Sequence, residues 1–331
     1  MGRAAAIRPL PPDPGVPSLT VPSLVALTGA TGFIGGAVLS HLAGAGWPVR
    51  ALYRLRAGRT PPTLPGVEWV AGDLGDADSL RALVAGTHAV IHCAGAVRGA
   101  RRDHFDRINA EGAGNLARAA ARLPRAPRFL LLSSLAAREP ELSPYAASKR
   151  LAERAVEATA LRWTVLRPPA VYGPGERELR PLFRAIARGM APLPAGGAGR
   201  FSLLHVDDLA KAVLRWLAAD TGYGRVFELD DGHAGGYDWD AVLTVAGSVL
   251  RKGGRVRRVA VPMPLLRVAA YANLAAATLC GYDPMLTPGK LREISHPDWL
   301  CDSHDFAEAT GWRAEVGLEE GLARAYGNPE P

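Results

Sequence analysis

Residues 24–38 read LVALTGATGFIGGAV: an aliphatic run ends at Thr28, glycines stand three apart at Gly29, Gly32 and Gly35, and a helix-compatible run follows. A glycine at the first position permits the tight turn out of a strand, and one at the second lets the backbone approach a pyrophosphate. At the third it lets the helix pack closely on that strand. The amides that open the helix favour an anion. Glycine spacing alone is weak; with a strand before it and a helix after it, this stretch has the context of a dinucleotide-phosphate loop. Thr31, Phe33 and Ile34 complete the expected cofactor face of the turn.

Working outward, the second strand should end about 20 residues later, where a carboxylate would hold a ribose 2′-hydroxyl. Residues 51–59 are ALYRLRAGR, which offer no acid there. A guanidinium clamps a 2′-phosphate instead, so Arg54, with Arg59 as a second candidate, favours NADP over NAD. Aliphatic runs alternate with helical patterns at Leu24–Thr28, Val49–Tyr53, Val67–Ala71, Ala89–His92, Phe129–Ser133 and Thr164–Arg167, with helices opening near Phe33, Asp78, His104 and Tyr145. That order predicts an α/β doubly wound parallel sheet with helices on both faces.

Past Arg167 the pattern loosens. Helices are expected over Arg180–Arg188 and Asp207–Ala218, a strand over Arg225–Leu229, and mostly helix from Tyr237 onward. The reading is a dinucleotide-binding core over 23–175 and a smaller, mostly helical substrate lobe over 176–331. The two are partly interleaved, because the strand near 225–229 returns to the sheet. Residues 1–22 hold six prolines and no continuous apolar stretch, which predicts a disordered leader rather than a secretory signal.

At 48% hydrophobic and 21% charged, the chain can bury an ordinary globular core. Cys93, Cys280 and Cys301 lack metal-ligand spacing and cannot all pair, so no metal site is expected and a reducing cytosolic compartment is favoured. The net charge of +7 comes mostly from arginine. It reflects either plain arginine usage or an anionic partner, such as a phosphorylated cofactor or an acidic membrane surface. No nucleic-acid-binding motif accompanies it.

TGATGFIG, GDL, HCAG, NAEGAGNL, SS, YAASK, LRPPAVYGPG and LLHVDDLAKA occur in this order. In them the chain resembles the extended short-chain dehydrogenase/reductase family, from about Leu24 to Ala218. The resemblance implies a Rossmann-type core, a small substrate lobe and a nicotinamide cofactor. It implies that Asp73 bonds the adenine amine with Leu74 nearby, that Ala94 and Gly95 line the cofactor, and that Pro168 and Val171 flank the nicotinamide. Asn109 would help order Lys149 or a water. Asp207 and Asp208 are expected to cap a helix rather than to catalyse.

The chemistry centres on residues 133–149, SSLAAREPELSPYAASK. Tyr145 and Lys149 fall on one helical face. A nearby ammonium favours tyrosinate and would lower the phenol from about 10 towards neutrality. Tyr145 would pass a proton to a ketone oxygen as hydride arrives, Lys149 would also hold the nicotinamide ribose, and Ser134 would bond the substrate oxygen, with Ser133 the fallback by register. Tyr-x-x-x-Lys alone is common on exposed helices; behind a phosphate loop and a strand-ending serine pair, it reads as an acid–base site.

Sugar-nucleotide members of the family carry an insertion between the catalytic serine and tyrosine that is missing here. Dehydratases place an acid beside the serine, where this chain has Leu-Ala-Ala. Carbonyl reduction is therefore favoured. In the lobe, five basic residues over 251–258 precede a stretch with no charge from Val268 to Tyr282. It is too short to span a bilayer; it reads as an interfacial helix, a pocket wall or a core helix. Together with PMLTPGKLREISHPDWLCD (284–302), this is similar to bacterial atypical short-chain reductases of lipid pathways. That implies NADPH-dependent reduction of a lipophilic ketone, with 3-oxosphinganine to sphinganine the most specific expectation, in the cytoplasm or on the inner face of the membrane through 251–282. The alternatives are a hydroxysteroid-type dehydrogenase, a non-catalytic dinucleotide-binding scaffold, and a sugar-nucleotide epimerase or reductase clamping a diphosphate with Arg177, Arg180, Arg184 or Arg200.

Overall fold

The computed structural model describes residues 23–55, 61–195 and 199–327. The proline-rich leader and Arg59 lie outside the described residues. Six strands follow the anticipated order: β1 (Val25–Thr28), β2 (Val49–Tyr53), β3 (Val67–Ala71), β4 (Ala89–His92), β5 (Arg128–Leu132) and β6 (Trp163–Arg167). A seventh, Arg225–Glu228, pairs with β6 in the register Arg225↔Thr164. The sheet runs Arg225–Glu228, β6, β5, β4, β1, β2, β3, and every pairing is parallel. Chain order reverses between β1 and β4, which opens a crevice beyond their carboxyl ends where such sheets bind ligands.

β1, β4 and β5 are buried at every position, as expected of parallel strands covered on both faces. One face packs α1 (Phe33–Gly44) and the helix Val206–Ala219, through Val38, Leu39 and Leu42 with Leu209, Val213 and Trp216. The other packs Leu80, Leu83, Leu116, Ala152 and Val156 from the helices Ala77–Val84, Gly112–Ala121 and Pro144–Glu157. A third cluster, around Tyr172, Phe183, Ile186, Leu193 and Val242, is the core of the C-terminal lobe.

That lobe is helical, but three two-stranded parallel pairs brace it: Ala170–Tyr172 with Leu203–His205, Met190–Pro194 with Arg257–Val261, and Arg200–Phe201 with Asp298–Trp299. Sequence patterning missed them for a physical reason. MAPLP carries two prolines and RRVAV opens on two arginines, and a two-stranded pair, which is all edge, tolerates both.

The helix-capping expectation for Asp207 and Asp208 is overturned. The cap of Val206–Ala219 is His205, whose Nδ1 accepts the Asp207 amide at 3.3 Å. The Asp208 side chain reaches across instead, and its Oδ2 accepts the Glu315 and Val316 amides at 3.1 and 2.9 Å. Asp207 faces Arg324 at 3.5 Å.

Candidate active site

At the loop, Gly29 has φ +76°, and a Cβ there would stand 2.7 Å from the Ala94 amide nitrogen. A Cβ on Gly35 would stand 2.2 Å from the Gly29 carbonyl oxygen. Any side chain at either position would break the turn. Gly32 caps α1 without a side-chain bond, its own amide donating to the Gly29 carbonyl at 2.9 Å, and Thr31 and Gly32 are exposed, so the helix start faces outward. That is the arrangement a pyrophosphate fits. Ile34 packs on the core, where it seats α1.

The neighbouring strand ends converge on the same crevice. Asp73 is exposed after β3, with Oδ1 accepting the Gly75 amide at 3.0 Å, and Leu74 abuts Gly112. Ala94 and Gly95 follow β4, and the Ala94 amide donates to Thr28 Oγ1 at 3.3 Å. Pro168 follows β6 and accepts the Leu135 amide at 2.9 Å, while Val171 packs against the core. Arg54 stands exposed just beyond β2, with no carboxylate partner among the described residues.

Tyr145 and Lys149, the candidate acid–base pair, are set by one helix start. Ser143 caps Pro144–Glu157, its Oγ accepting the Ala146 amide at 2.9 Å, with Pro144 in the first turn. This fixes Tyr145 in the first turn, partly buried, and Lys149 one turn deeper, buried. Lys149 Nζ donates to the Leu132 carbonyl at 2.7 Å, at the end of β5. Two residues further, Ser134 Oγ accepts the Ala136 amide at 3.2 Å and stands near enough to the Tyr145 phenol to pull its pKa down. Ser133 is not the alternative: it is buried and donates to Glu153 Oε1 at 2.5 Å.

Asn109 sits in a π-helical turn, Asp106–Glu111, the kind of local widening often found at functional sites. Its amide grips the chain after β4 from both sides: Oδ1 accepts the Ala96 amide at 2.7 Å and Nδ2 donates to the Ala96 carbonyl at 3.0 Å. Nδ2 also donates to Ser148 Oγ at 2.9 Å. Asn109 thus orders Ala96 and Ser148, and Lys149 is held by Leu132.

Burial lowers Lys149 to about 8, against the opposing pull of the Glu153 carboxylate. Tyr145 departs from the expected direction. Burial raises its phenol, the Ser134 hydroxyl works against that rise, and the Glu293 and Glu178 carboxylates add to it. The lobe faces the phenol with Lys290, Glu293 and Glu178, while the Lys149 ammonium is turned to a backbone carbonyl. The phenol therefore stays protonated through neutral pH, poised as a donor. Burial pushes Cys93 up to about 12 and His92 down to about 3, which leaves both uncharged beside the loop.

Two features escaped the sequence reading. Glu153, one turn past Lys149 and fully buried, takes two hydrogen bonds from Arg167 at 2.9 and 2.7 Å and one from Arg150 at 2.8 Å. Its four-residue offset from Lys149 was the available signal. The second is a cavity of about 250 Å³ at Tyr145, walled by Phe105, Tyr271, Leu274 and Met285. Among its charged groups, Arg98 pairs with Glu178 and Lys290 with Glu293 at 3.1 Å, while Arg292 donates to the Leu142 carbonyl at 2.7 Å. Arg177, Arg180, Arg184 and Arg200 do not line it; Arg200 donates to the Gly236 carbonyl at 3.2 Å.

Comparison with known proteins agrees with this geometry. Residues 25–229 match the model of the NAD dependent epimerase/dehydratase family. A protein of Caulobacter vibrioides (strain NA1000 / CB15N) named "Ceramide reductase" is 37% identical, over 90% of this chain and 92% of its own. The "2-alkyl-3-oxoalkanoate reductase" of Stenotrophomonas maltophilia (strain K279a) is 31% identical over 57% of this chain and 63% of its own. Among solved structures, MoeE5 in complex with UDP-glucuronic acid and NAD shares the fold at a TM-score of 0.69 and 22% identity, covering 92% of this chain and 97% of that one.

Proposed function

Since the chain belongs to the NAD-dependent epimerase/dehydratase family and is an NAD(P)-dependent oxidoreductase, we propose that it reduces the C3 ketone of a long-chain sphingoid lipid with NADPH. The substrate is 3-oxosphinganine, or the same ketone carrying an N-acyl chain. A ceramide already bears a hydroxyl at C3, so hydride chemistry leading to one starts from the 3-oxo form. The observation that carries the reading is the apolar-walled cavity that opens on Tyr145, at the start of the helix that also carries Lys149.

Gly29, Gly32 and Gly35 would hold the pyrophosphate, Asp73 the adenine, Arg54 the 2′-phosphate, and Lys149 the nicotinamide ribose. Ala94, Gly95, Pro168 and Val171 would border the ring. Bound there, the reduced nicotinamide supplies the hydride. Ser134 and Tyr145 would both bond the ketone oxygen and orient it, and the protonated phenol would give up its proton as negative charge builds on that oxygen. The Lys149 ammonium would stabilise the tyrosinate left behind.

The test is NADPH oxidation with 3-oxosphinganine, its N-acyl derivative, a 3-oxosteroid and a UDP-sugar. Turnover of either sphingoid ketone is expected. Turnover of the UDP-sugar alone would overturn the reading, and the pairing of Arg98 and Lys290 with carboxylates argues against a diphosphate clamp there. Tyr145→Phe should lower kcat at least ~10²-fold while NADPH affinity, read by fluorescence titration, stays within a few-fold.

A further inference from the structure

The helix Met263–Cys280 is the longest among the described residues, yet only 11% of it is buried. Leu265, Val268 and Leu279 are 59%, 67% and 86% exposed, and Ala270 and Ala277, two turns apart, are its buried positions. A contiguous apolar face of this kind marks an interaction surface. Its surroundings say with what. Arg251, Lys252, Arg255, Arg257, Arg258 and Arg267 fall between Ala241 and Tyr282, where no acidic residue stands, and of these Arg258 pairs with Asp240 just outside the stretch. The strand Arg257–Val261 carries two of these arginines and runs into the helix through Pro262.

An apolar face with a basic flank matches a helix lying in an anionic lipid interface. At 1.5 Å per residue the helix is about 27 Å long, and by length and composition alone it could cross a bilayer; its setting in the fold argues otherwise. It carries Arg267, and it packs on the helix Pro288–Ser295, with Asn273 donating to the Leu286 carbonyl at 2.8 Å. It therefore lies on a membrane rather than crossing one. A second copy of the chain fits less well, since it would bring two basic flanks together.

A further observation links this surface to the chemistry. Tyr271 and Leu274 of the same helix wall the cavity at Tyr145. We propose that Met263–Cys280 docks the enzyme on an anionic bilayer, and that a lipid ketone reaches Tyr145 from that bilayer past Tyr271 and Leu274. The entry route rests on the lipid-ketone reading above; the docking does not.

The test is flotation of the full chain with vesicles of phosphatidylcholine alone or with 30 mol% phosphatidylglycerol, comparing wild type with Leu265→Glu/Val268→Glu. Neither residue lines the cavity. Wild type should float with the anionic vesicles and the double variant at least tenfold less. NADPH oxidation with a short-chain, water-soluble 3-oxo analogue should stay within twofold, while turnover of vesicle-borne long-chain ketone should fall at least tenfold. Equal flotation of both proteins, or none by wild type, overturns the proposal. So does a wild-type dimer that the double variant breaks without any vesicle binding. Flotation lost in the variant, with no ketone reduced by either protein, would uphold docking and sink the functional reading instead.

Discussion

At the scale of single residues, the site is tuned by burial more than by the pairing of Tyr145 with Lys149. With Lys149 near 8, its ammonium is present below that pH and lost above it. The pH dependence of kcat/KM reports the free enzyme, so reductive kcat/KM should fall above about pH 8 with a single-proton slope. Glu153 holds Lys149 up by its charge, and Glu153→Gln should move that fall down by about one pH unit. A variant with uniformly lower activity and an unmoved break would make Glu153 merely structural. Arg54 gives a second prediction. Arg54→Ala should weaken NADPH at least ~10-fold, the worth of a lost charge-assisted contact, and leave NADH nearly unchanged. An equal loss for both would remove Arg54 from the 2′-phosphate.

At the scale of elements, the loop between β1 and α1 has the least tolerance. Gly35→Ala places a methyl 2.2 Å from the Gly29 carbonyl. That contact can be relieved only by moving α1 off the sheet, at a cost of roughly 1–3 kcal/mol for overpacking, read as a lower denaturation midpoint with weakened NADPH binding. This loop was legible because its chemistry is local: glycine spacing, a strand and a helix stand within fifteen residues. The central strands β1, β4 and β5 were legible for the same reason, since two-sided burial writes itself as continuous aliphatic runs. Other features were not, because their cause lies elsewhere in the chain. The Tyr145 phenol is raised first by burial, with Glu293 and Glu178 of distant segments adding to the rise. The Ser133 hydroxyl is taken up by Glu153, twenty residues on, and the strand Met190–Pro194 exists because Arg257–Val261 lies beside it.

At the scale of the whole molecule, the C-terminal segment is tied to the core by several side chains, and the most deeply buried polar one is Asp208. Asp208 is fully buried, and its loss would strand the Glu315 and Val316 amides. Asp208→Ala should cost about 2–3 kcal/mol by denaturant titration, with Asp208→Asn, which keeps an acceptor, recovering part of it. Intact stability in the alanine variant would mean that the segment holds without this carboxylate, through buried Trp312 and Leu318 and its other polar contacts. The returning strand Arg225–Glu228 has a different consequence, in time rather than in space. Between it and β6 lie 57 residues, and a ribosome adding 5–20 residues per second needs about 3–11 s to make them. Throughout that interval the outer edge of β6 has no partner, in a sheet whose central strands are continuous aliphatic runs. Synthesis of this chain therefore includes a window of several seconds in which a nearly finished nucleotide-binding domain presents an open strand to the cell, and a chaperone or a neighbouring nascent chain would meet it there.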